Sequence, residues 1–237
     1  MQPNTLVPYT FFDRTLQLFF SSLLICMFFS SANAQLEYEW ANRLDDANIT
    51  NTDSFSIEDI ATDPSGNILI TGSFKSGAID FDLGPGVQNL PHGGSNQKWI
   101  FIVKYDPNGN YLWGHSLGSN FVVWETTSYG IATDGAGNIL ITGSIKGEVD
   151  FDPAPLDSNI LSTYKTGLPS GYDDDIFLAK YDPNGNHLWA FKVGGKSIDC
   201  VCCNNCGPDI GYDVEVASNG YIAITGQFTQ TADFDPS

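Results

Sequence analysis

IATDPSGNILITG, from Ile60 to Gly72, returns as IATDGAGNILITG from Ile131 to Gly143 and, more loosely, as VEVASNGYIAITG from Val214 to Gly226. A second unit is interleaved with it: IFIVKYDPNGNYLW, ending at Trp113, recurs as IFLAKYDPNGNHLW, ending at Trp189. The motifs keep their lengths while the spacing between their starts changes, so the variation lies in the connections. Each motif reads as a β-hairpin, two short β-rich runs around a compact turn. In Asp106-Pro107-Asn108-Gly109, Asp accepts hydrogen bonds at the first position, Pro presets φ at the second, and Gly takes the left-handed conformation. Asp182-Pro183-Asn184-Gly185 and Asp63-Pro64-Ser65-Gly66 repeat that chemistry.

One repeat is then four antiparallel strands, a and b from the first motif, c and d from the second. Strand c, Trp99 to Tyr105 and Ile176 to Tyr181, is apolar on both faces, so it lies between two neighbouring sheets and not against water. No segment carries a helical period of useful length. Four-stranded sheets repeated radially and packed face to face describe an all-β fold, a β-propeller-like array of antiparallel blades. The expected layout is a leading strand d within 35–45, blade 1 at 55–118, blade 2 at 128–195 and a partial blade 3 at 210–237. Leu36 to Arg43 is the candidate for that leading strand, comparable with Tyr111-Leu112-Trp113-Gly114 and able to complete the last blade of a ring. About two and a half blades fall short of the four or more of a closed propeller. The chain reads as the N-terminal part of a longer protein, the other reading being a short chain that closes by oligomerising.

The GN-(V/I)-x-(V/I)-TG hairpin, the D-F-D-P stretch, and D-I-F-(V/L)-A-K-Y-D-x-x-G-N-x-L-W followed by Gly194 and Gly195 resemble the bacterial SBBP-type β-propeller repeats. The resemblance covers nearly all of the chain after residue 34. It departs from the pattern where Ser218-Asn219-Gly220 replaces the D-x-x-G-N turn, and in a cysteine-bearing loop. It implies the propeller fold and an exported, often surface-associated protein, many such proteins coming from Bacteroidota-like bacteria and often carrying a C-terminal sorting domain. It carries over no catalytic residue, because a family defined by repeats implies a fold and not a site.

Composition and the N-terminus point to the same compartment. Arg14 precedes an apolar run from Leu16 to Phe29, and Ala32-Asn33-Ala34 supplies the small-residue pattern of signal-peptide cleavage between Ala34 and Gln35. Residues 1–34 are read as a signal peptide, leaving no membrane span after cleavage. The 28 acidic against 10 basic residues, a net charge of −18, exclude a nucleic-acid or anionic-membrane binder, which needs clustered cations. With Cys26 removed, Cys200, Cys202, Cys203 and Cys206 remain, an even number in an oxidising compartment. Local disulfides are expected, with the pairing open. C-x-C-C-x-x-C lacks the paired spacing of a structural zinc site.

Candidate chemistry follows from topology. The a–b and c–d turns lie at one end of each blade, so the long b–c and d–a connections share the other, where variable loops on a repeated scaffold carry binding. Trp124, Tyr164 and Tyr172 are the aromatic candidates for a sugar or peptide platform there. The D-F-D pairs Asp80 and Asp82, Asp150 and Asp152, Asp233 and Asp235 put two carboxylates on one face if they lie on a strand. Calcium is the cofactor such pairs would take, with neighbouring carbonyls completing six to eight oxygens. A solvated acidic edge or loop-anchoring hydrogen bonds are the alternatives. No G-x-S-x-G, H-E-x-x-H or phosphate loop is present, and the histidines do not cluster. The expected function is therefore an exported, non-enzymatic module for binding, adhesion or scaffolding, with an extracellular protein or glycan as partner. The alternative is a propeller-type hydrolase or lyase acting on an extracellular polymer through a carboxylate pair.

Overall fold

The computed structural model describes residues 44, 55–75, 79–92, 97–118, 126–163, 173–194, 208–229, 232 and 234, all within a compact unit that runs from Trp40 to Ser237. Among these residues every regular element is a β-strand. Strands β1 (Phe55–Thr62), β2 (Ile68–Phe74), β3 (Trp99–Tyr105) and β4 (Tyr111–Leu117) form a four-stranded antiparallel sheet in that order. The chain continues through β5 (Thr127–Thr133), β6 (Ile139–Lys146), a small hairpin of β7 (Glu148–Asp150) and β8 (Ile160–Ser162), then β9 (Asp174–Tyr181) and β10 (His187–Val193). The second sheet takes the order β10-β9-β6-β5, the same a-b-c-d succession as the first. Strands β11 (Ile210–Val216) and β12 (Ile222–Gln227) form the a–b hairpin of a third repeat. The leading strand expected at Leu36 to Arg43 lies outside the described residues.

The hairpins form where the turn chemistry places them. Asp63 accepts the N–H groups of Ser65 and Asn67 on Oδ1 and the Asn67 side-chain amide on Oδ2, while Gly66 N–H bonds the Asp63 carbonyl and Gly66 sits at φ 80°. Asp106, Asp134 and Asp182 build the same cage around Asn110, Asn138 and Asn186. The third copy has Ala217 and Tyr221 at those two places and lacks the Asp–Asn cage; it keeps the backbone turn, with Gly220 at φ 84°, and a bond from Tyr221 N–H to Asn219 Oδ1 at 3.1 Å. Left-handed Gly thus fixes the path, and the Asp–Asn cage reinforces it. The I-T-G ending is explained as well. Thr71 and Thr142 donate to the carbonyls of Phe101 and Phe177 on the adjacent strand c, at 2.9 and 2.7 Å. At Gly72 and Gly143 a Cβ would fall 2.0 and 1.9 Å from the carbonyl oxygens of Ser56 and Thr127, so strand a can cross there only above a glycine.

Apolar packing then sets the sheets face to face. Every residue of β3 is buried, and β9 is buried except at Asp174 and Lys180. Leu69, Ile100, Ile102 and Leu117 of the first blade pack against Ile139, Ile141, Phe177 and Tyr181 of the second. Ala132, Leu140 and Leu178 meet Val214, Val216 and Ile224 of the third repeat in the same way. Removal of such side chains from water is the main force holding the blades together.

Each four-stranded blade also carries an ion pair between strand c and its a–b turn. Lys104 meets Asp63 at 2.9 Å with both side chains nearly inaccessible, at 5% and 4% exposure, and it donates a second bond to the Pro183 carbonyl of the second blade at 2.9 Å. Lys180 meets Asp134 at 2.8 Å in a more open setting. Burial alone would raise the pKa of Asp134, but hydrogen bonds from Lys180, Asn138 and the turn backbone outweigh it and hold the group at about 2. Asp63 is held below the usual range by the same balance, burial opposed by Asn67 and Lys104.

Two outcomes are expected. Lys104→Met strands a buried carboxylate and should lower unfolding stability by about 3–5 kcal/mol in urea titrations, with a clearly smaller loss for Lys180→Met. Depressed carboxylates contribute stability that is complete above their unfolded pKa of about 3.9 and is lost as pH falls through the folded value. The melting temperature should therefore drop between about pH 4 and pH 2, and Asp134→Asn should make that drop shallower.

Candidate functional site

The D-F-D stretches open the connection between strands b and c. In the second blade Asp150 ends β7 and faces Ile160 of β8, and in the first an isolated bridge joins Asp80 to Asn89. The expectation that the paired aspartates share one face of a strand is corrected here: Asp80 and Asp150 stand in paired positions, but Asp82 and Asp152 lie beyond them, outside any strand. Asp82 N–H donates to Asp80 Oδ1 and Asp152 N–H to Asp150 Oδ1, so each pair forms a local side-chain turn and not an extended face. The same Oδ1 atoms also accept Gln88 N–H and Asn159 N–H from the returning arm, at 2.8 Å each. Asp82 and Asp152 in turn accept Gly84 N–H and Ala154 N–H. A short polar segment that would otherwise leave its amides unpaired is closed by its own carboxylates.

The phenylalanine between the aspartates is the anchor of this hairpin. Phe81 packs on Phe101 with ring centroids 5.1 Å apart, and Phe151 on Phe177 at 4.9 Å, all four rings fully buried. Tyr105 and Tyr181, the tyrosines of the K-Y-D motifs, donate their hydroxyls to the Phe81 and Phe151 carbonyls at 2.8 Å. Burial, assisted by the nearby aspartates, pushes both phenols far above their ordinary pKa and keeps them as donors. The repeated motifs D-F-D and K-Y-D, joined by hydrogen bonds 24 and 30 residues long in sequence, are therefore halves of one contact that lays the b–c connection over the face of its own blade. This is the loop-anchoring role among the alternatives for the aspartates. Among the described residues no group of three or more acidic, His or Cys side chains is arranged to hold a metal ion.

Trp124, Tyr164, Tyr172, Asp233, Asp235 and the four cysteines Cys200, Cys202, Cys203 and Cys206 lie outside the described residues. Two of the histidines, His115 of the first blade and His187 of the second, both come near Asp152. His115 lies against Trp113 at a centroid distance of 5.0 Å, and burial lowers its pKa despite a hydrogen bond to the Gly185 backbone and the nearby Asp152. His187 Nδ1 stands 3.9 Å from Asp152 Oδ2.

A second feature was not singled out from the sequence. The first strands of the three repeats are neighbours, β1 against β5 and β5 against β11. A cleft of about 560 Å³ runs along them, with Asp59, Thr62, Thr133, Asp213 and Glu215 among its lining residues. Asp59 holds two repeats together there: its Oδ1 accepts Ile60 N–H and its Oδ2 accepts Ile131 N–H from the next repeat, both at 2.8 Å. Thr133 adds a bond to the Thr62 carbonyl at 2.8 Å. The signal was legible, since an aspartate stands immediately before the hairpin motif in the first and third copies.

This geometry agrees with the comparisons to known proteins. Residues 125–149, which span β5, β6 and the start of β7, match the family model of the SBBP β-propeller repeat. The chain contains an SBBP-type β-propeller repeat. It is also similar to an uncharacterized WD repeat-containing protein, L264, of Acanthamoeba polyphaga mimivirus, with 30% identity over 180 residues. That match covers 72% of this chain and 11% of the viral protein, so the SBBP chain spans a small part of the curated relative it matches. WD repeats also build four-stranded propeller blades. Both likenesses are to proteins built from repeats.

If the SBBP aspartates close the b–c hairpin, Asp150→Ala should lower stability by about 2 kcal/mol, the scale of hydrogen bonds to a charged acceptor. Asp150→Asn, which keeps Oδ1, should stay close to the parent. Thermal melts of these two variants should show this order, and the same melts run with calcium and with chelator test whether the ion adds to it.

Proposed function

We propose that this SBBP-type protein is an exported, non-enzymatic scaffold whose b–c and d–a connections contact an extracellular protein or glycan. One observation carries the reading. The polar groups that recur from repeat to repeat hold the architecture: the turn aspartates cage their turns, Lys104 and Lys180 tie strand c to them, and Asp80 and Asp150 close the hairpins. Catalysis needs acids, bases or nucleophiles positioned around a reacting atom, and these groups are engaged with backbone and with one another. What differs between repeats gathers in the connections at one end, including the segment from Lys196 to Ile210 that carries the cysteines. The signal-like N-terminus and the acidic composition support an extracellular setting without nucleic-acid partners.

The test replaces residues 164–172 and residues 196–207 separately with Gly/Ser segments of equal length in the full chain. Binding is measured against an array of purified bacterial and algal polysaccharides and against immobilised envelope proteins. At least one replacement should lower affinity by about tenfold or more while the melting temperature holds, which corresponds to losing about 1.4 kcal/mol of contact. Unchanged binding in both variants, or release of shortened sugar chains by the parent protein, would overturn the scaffold reading.

A further inference from the structure

Asn-Gly occurs at Asn108-Gly109, Asn184-Gly185 and Asn219-Gly220, each time in a hairpin turn. Such a pair reacts with itself when the asparagine side chain folds onto the following amide, because glycine has no Cβ to hold the two apart. The three turns share one backbone. Gly109, Gly185 and Gly220 donate to the carbonyls of Asp106, Asp182 and Ala217 at 2.9, 2.9 and 2.8 Å, and they take φ of 83°, 84° and 84°. All three asparagines are exposed, so access to water does not separate them. The residue at the head of the turn does.

In the c–d turns that residue is an aspartate. Asp106 Oδ1 accepts Asn108 N–H and Asn110 N–H, and Asp182 Oδ1 accepts Asn184 N–H and Asn186 N–H. The amide two residues beyond each Asn-Gly asparagine is therefore already taken. The Asn108 side chain is itself drawn to the Asp106 carboxylate. In the third repeat Ala217 heads the turn, and its side chain offers no oxygen. Tyr221 N–H is left to Asn219, whose Oδ1 accepts it at 3.1 Å. A side chain bonded to the amide two residues on arches over the amide between, here that of Gly220. The same bond sets an N–H on the carbonyl oxygen where negative charge grows as Cγ is attacked. Loss of the cage thus holds the Asn219 carboxamide against its own backbone. The contrast lies wholly within residues 217–221.

We propose that Asn219-Gly220 is a self-modification site, at which the Gly220 nitrogen attacks Asn219 Cγ and closes a succinimide. The bond from the Gly220 nitrogen to Cγ forms as the bond from Cγ to the side-chain nitrogen breaks, and the Gly220 proton leaves with that nitrogen as ammonia. Water then opens the ring at either carbonyl, giving aspartate or isoaspartate at position 219. Water is the only co-reactant. The attack gives up the Gly220 bond to the Ala217 carbonyl, but the caged turns would lose the equivalent bond, so this cost does not distinguish the sites. Either product adds a carboxylate to an acidic chain. The isoaspartyl product also adds one carbon to the main chain inside the turn that sets Val216 opposite Ile222, and so loosens that hairpin.

The experiment holds the full chain, folded, in mildly alkaline buffer at body temperature and digests samples at intervals. Mass spectrometry of the peptides reads the change from amide to acid, and methyltransferase labelling reads isoaspartate. Asn219 should convert at least about tenfold faster than Asn108 and Asn184, as a barrier lower by about 1.4 kcal/mol produces. In concentrated urea, where the turns are lost, the three should convert at similar rates. Ala217→Asp, which supplies an oxygen for the Asn219 and Tyr221 amides, should slow Asn219 to the level of the caged sites. Asp106→Ala should speed Asn108. Circular dichroism melts establish that each variant is folded at the incubation temperature, and should Asp106→Ala not be, the comparison rests on Ala217→Asp and the urea series. Equal rates for the three in the folded chain would overturn the proposal. So would the same excess at Asn219 in urea, or an unchanged Asn219 rate in folded Ala217→Asp.

Discussion

A buried aspartate at the head of an a–b turn, held by a lysine from strand c, is the constraint on which the rest of the structure depends. Asp63 gathers two backbone amides, one side-chain amide and the Lys104 ammonium around a single carboxylate. This fixes the turn, and the turn fixes the register of β1 on β2, from Thr62 opposite Ile68 to Phe55 opposite Phe74. The lysine then fixes strand c against that hairpin, because its side chain must reach the turn from β3. A one-residue slip of β3 would move Lys104 to the other face of the sheet and bury it without its partner. The same logic repeats at Asp134 and Lys180.

From that constraint the blade acquires a direction. One end carries the caged turns, and the other carries the b–c hairpin, pinned by a phenylalanine beneath it and a tyrosine hydroxyl against its backbone. Variation is thereby confined, since residues beyond the pinned D-F-D stretch can change without disturbing the sheet. Leu156, almost fully exposed, and Val87 stand in that permissive region. Between blades the links are sparse and specific: Lys104 to the Pro183 carbonyl, Asp59 to Ile131, Thr133 to Thr62. Apolar faces provide the attraction, and these polar links set the alignment.

Electrostatics divide into two groups. The turn carboxylates Asp63, Asp106, Asp134 and Asp182 are held below the ordinary range by donors that exceed the effect of burial. Asp175 and Asp209 behave oppositely, burial raising both, with Lys192 at 2.6 Å from Asp175 only partly offsetting it. Asp175 occupies the place that Trp99 fills in the first blade, so an apolar slot against the following glycine has become a polar one. Donors on the first group favour the fold as pH rises past the carboxylate range, while the second group works against it there.

The hairpins, the four-strand repeat and the burial of strand c could be read from the amino-acid order, because turn chemistry and a run apolar on both faces are local properties that residues carry wherever they stand. It also placed the aspartates of D-F-D at the b–c end, but not their task. Whether Asp150 faces outward along a strand or turns back to accept Asn159 N–H depends on where Tyr181 and Phe177 sit, some 30 residues further on. The role of Lys104 was likewise hidden, since its two acceptors lie 41 and 79 residues away in the chain and meet only when two blades pack. The link from Asp59 to the Ile131 amide was hidden in the same way, since it joins residues 72 apart that meet only where β1 lies beside β5. Local rules set the elements, and close approach between distant segments decided which polar groups hold the blades in place.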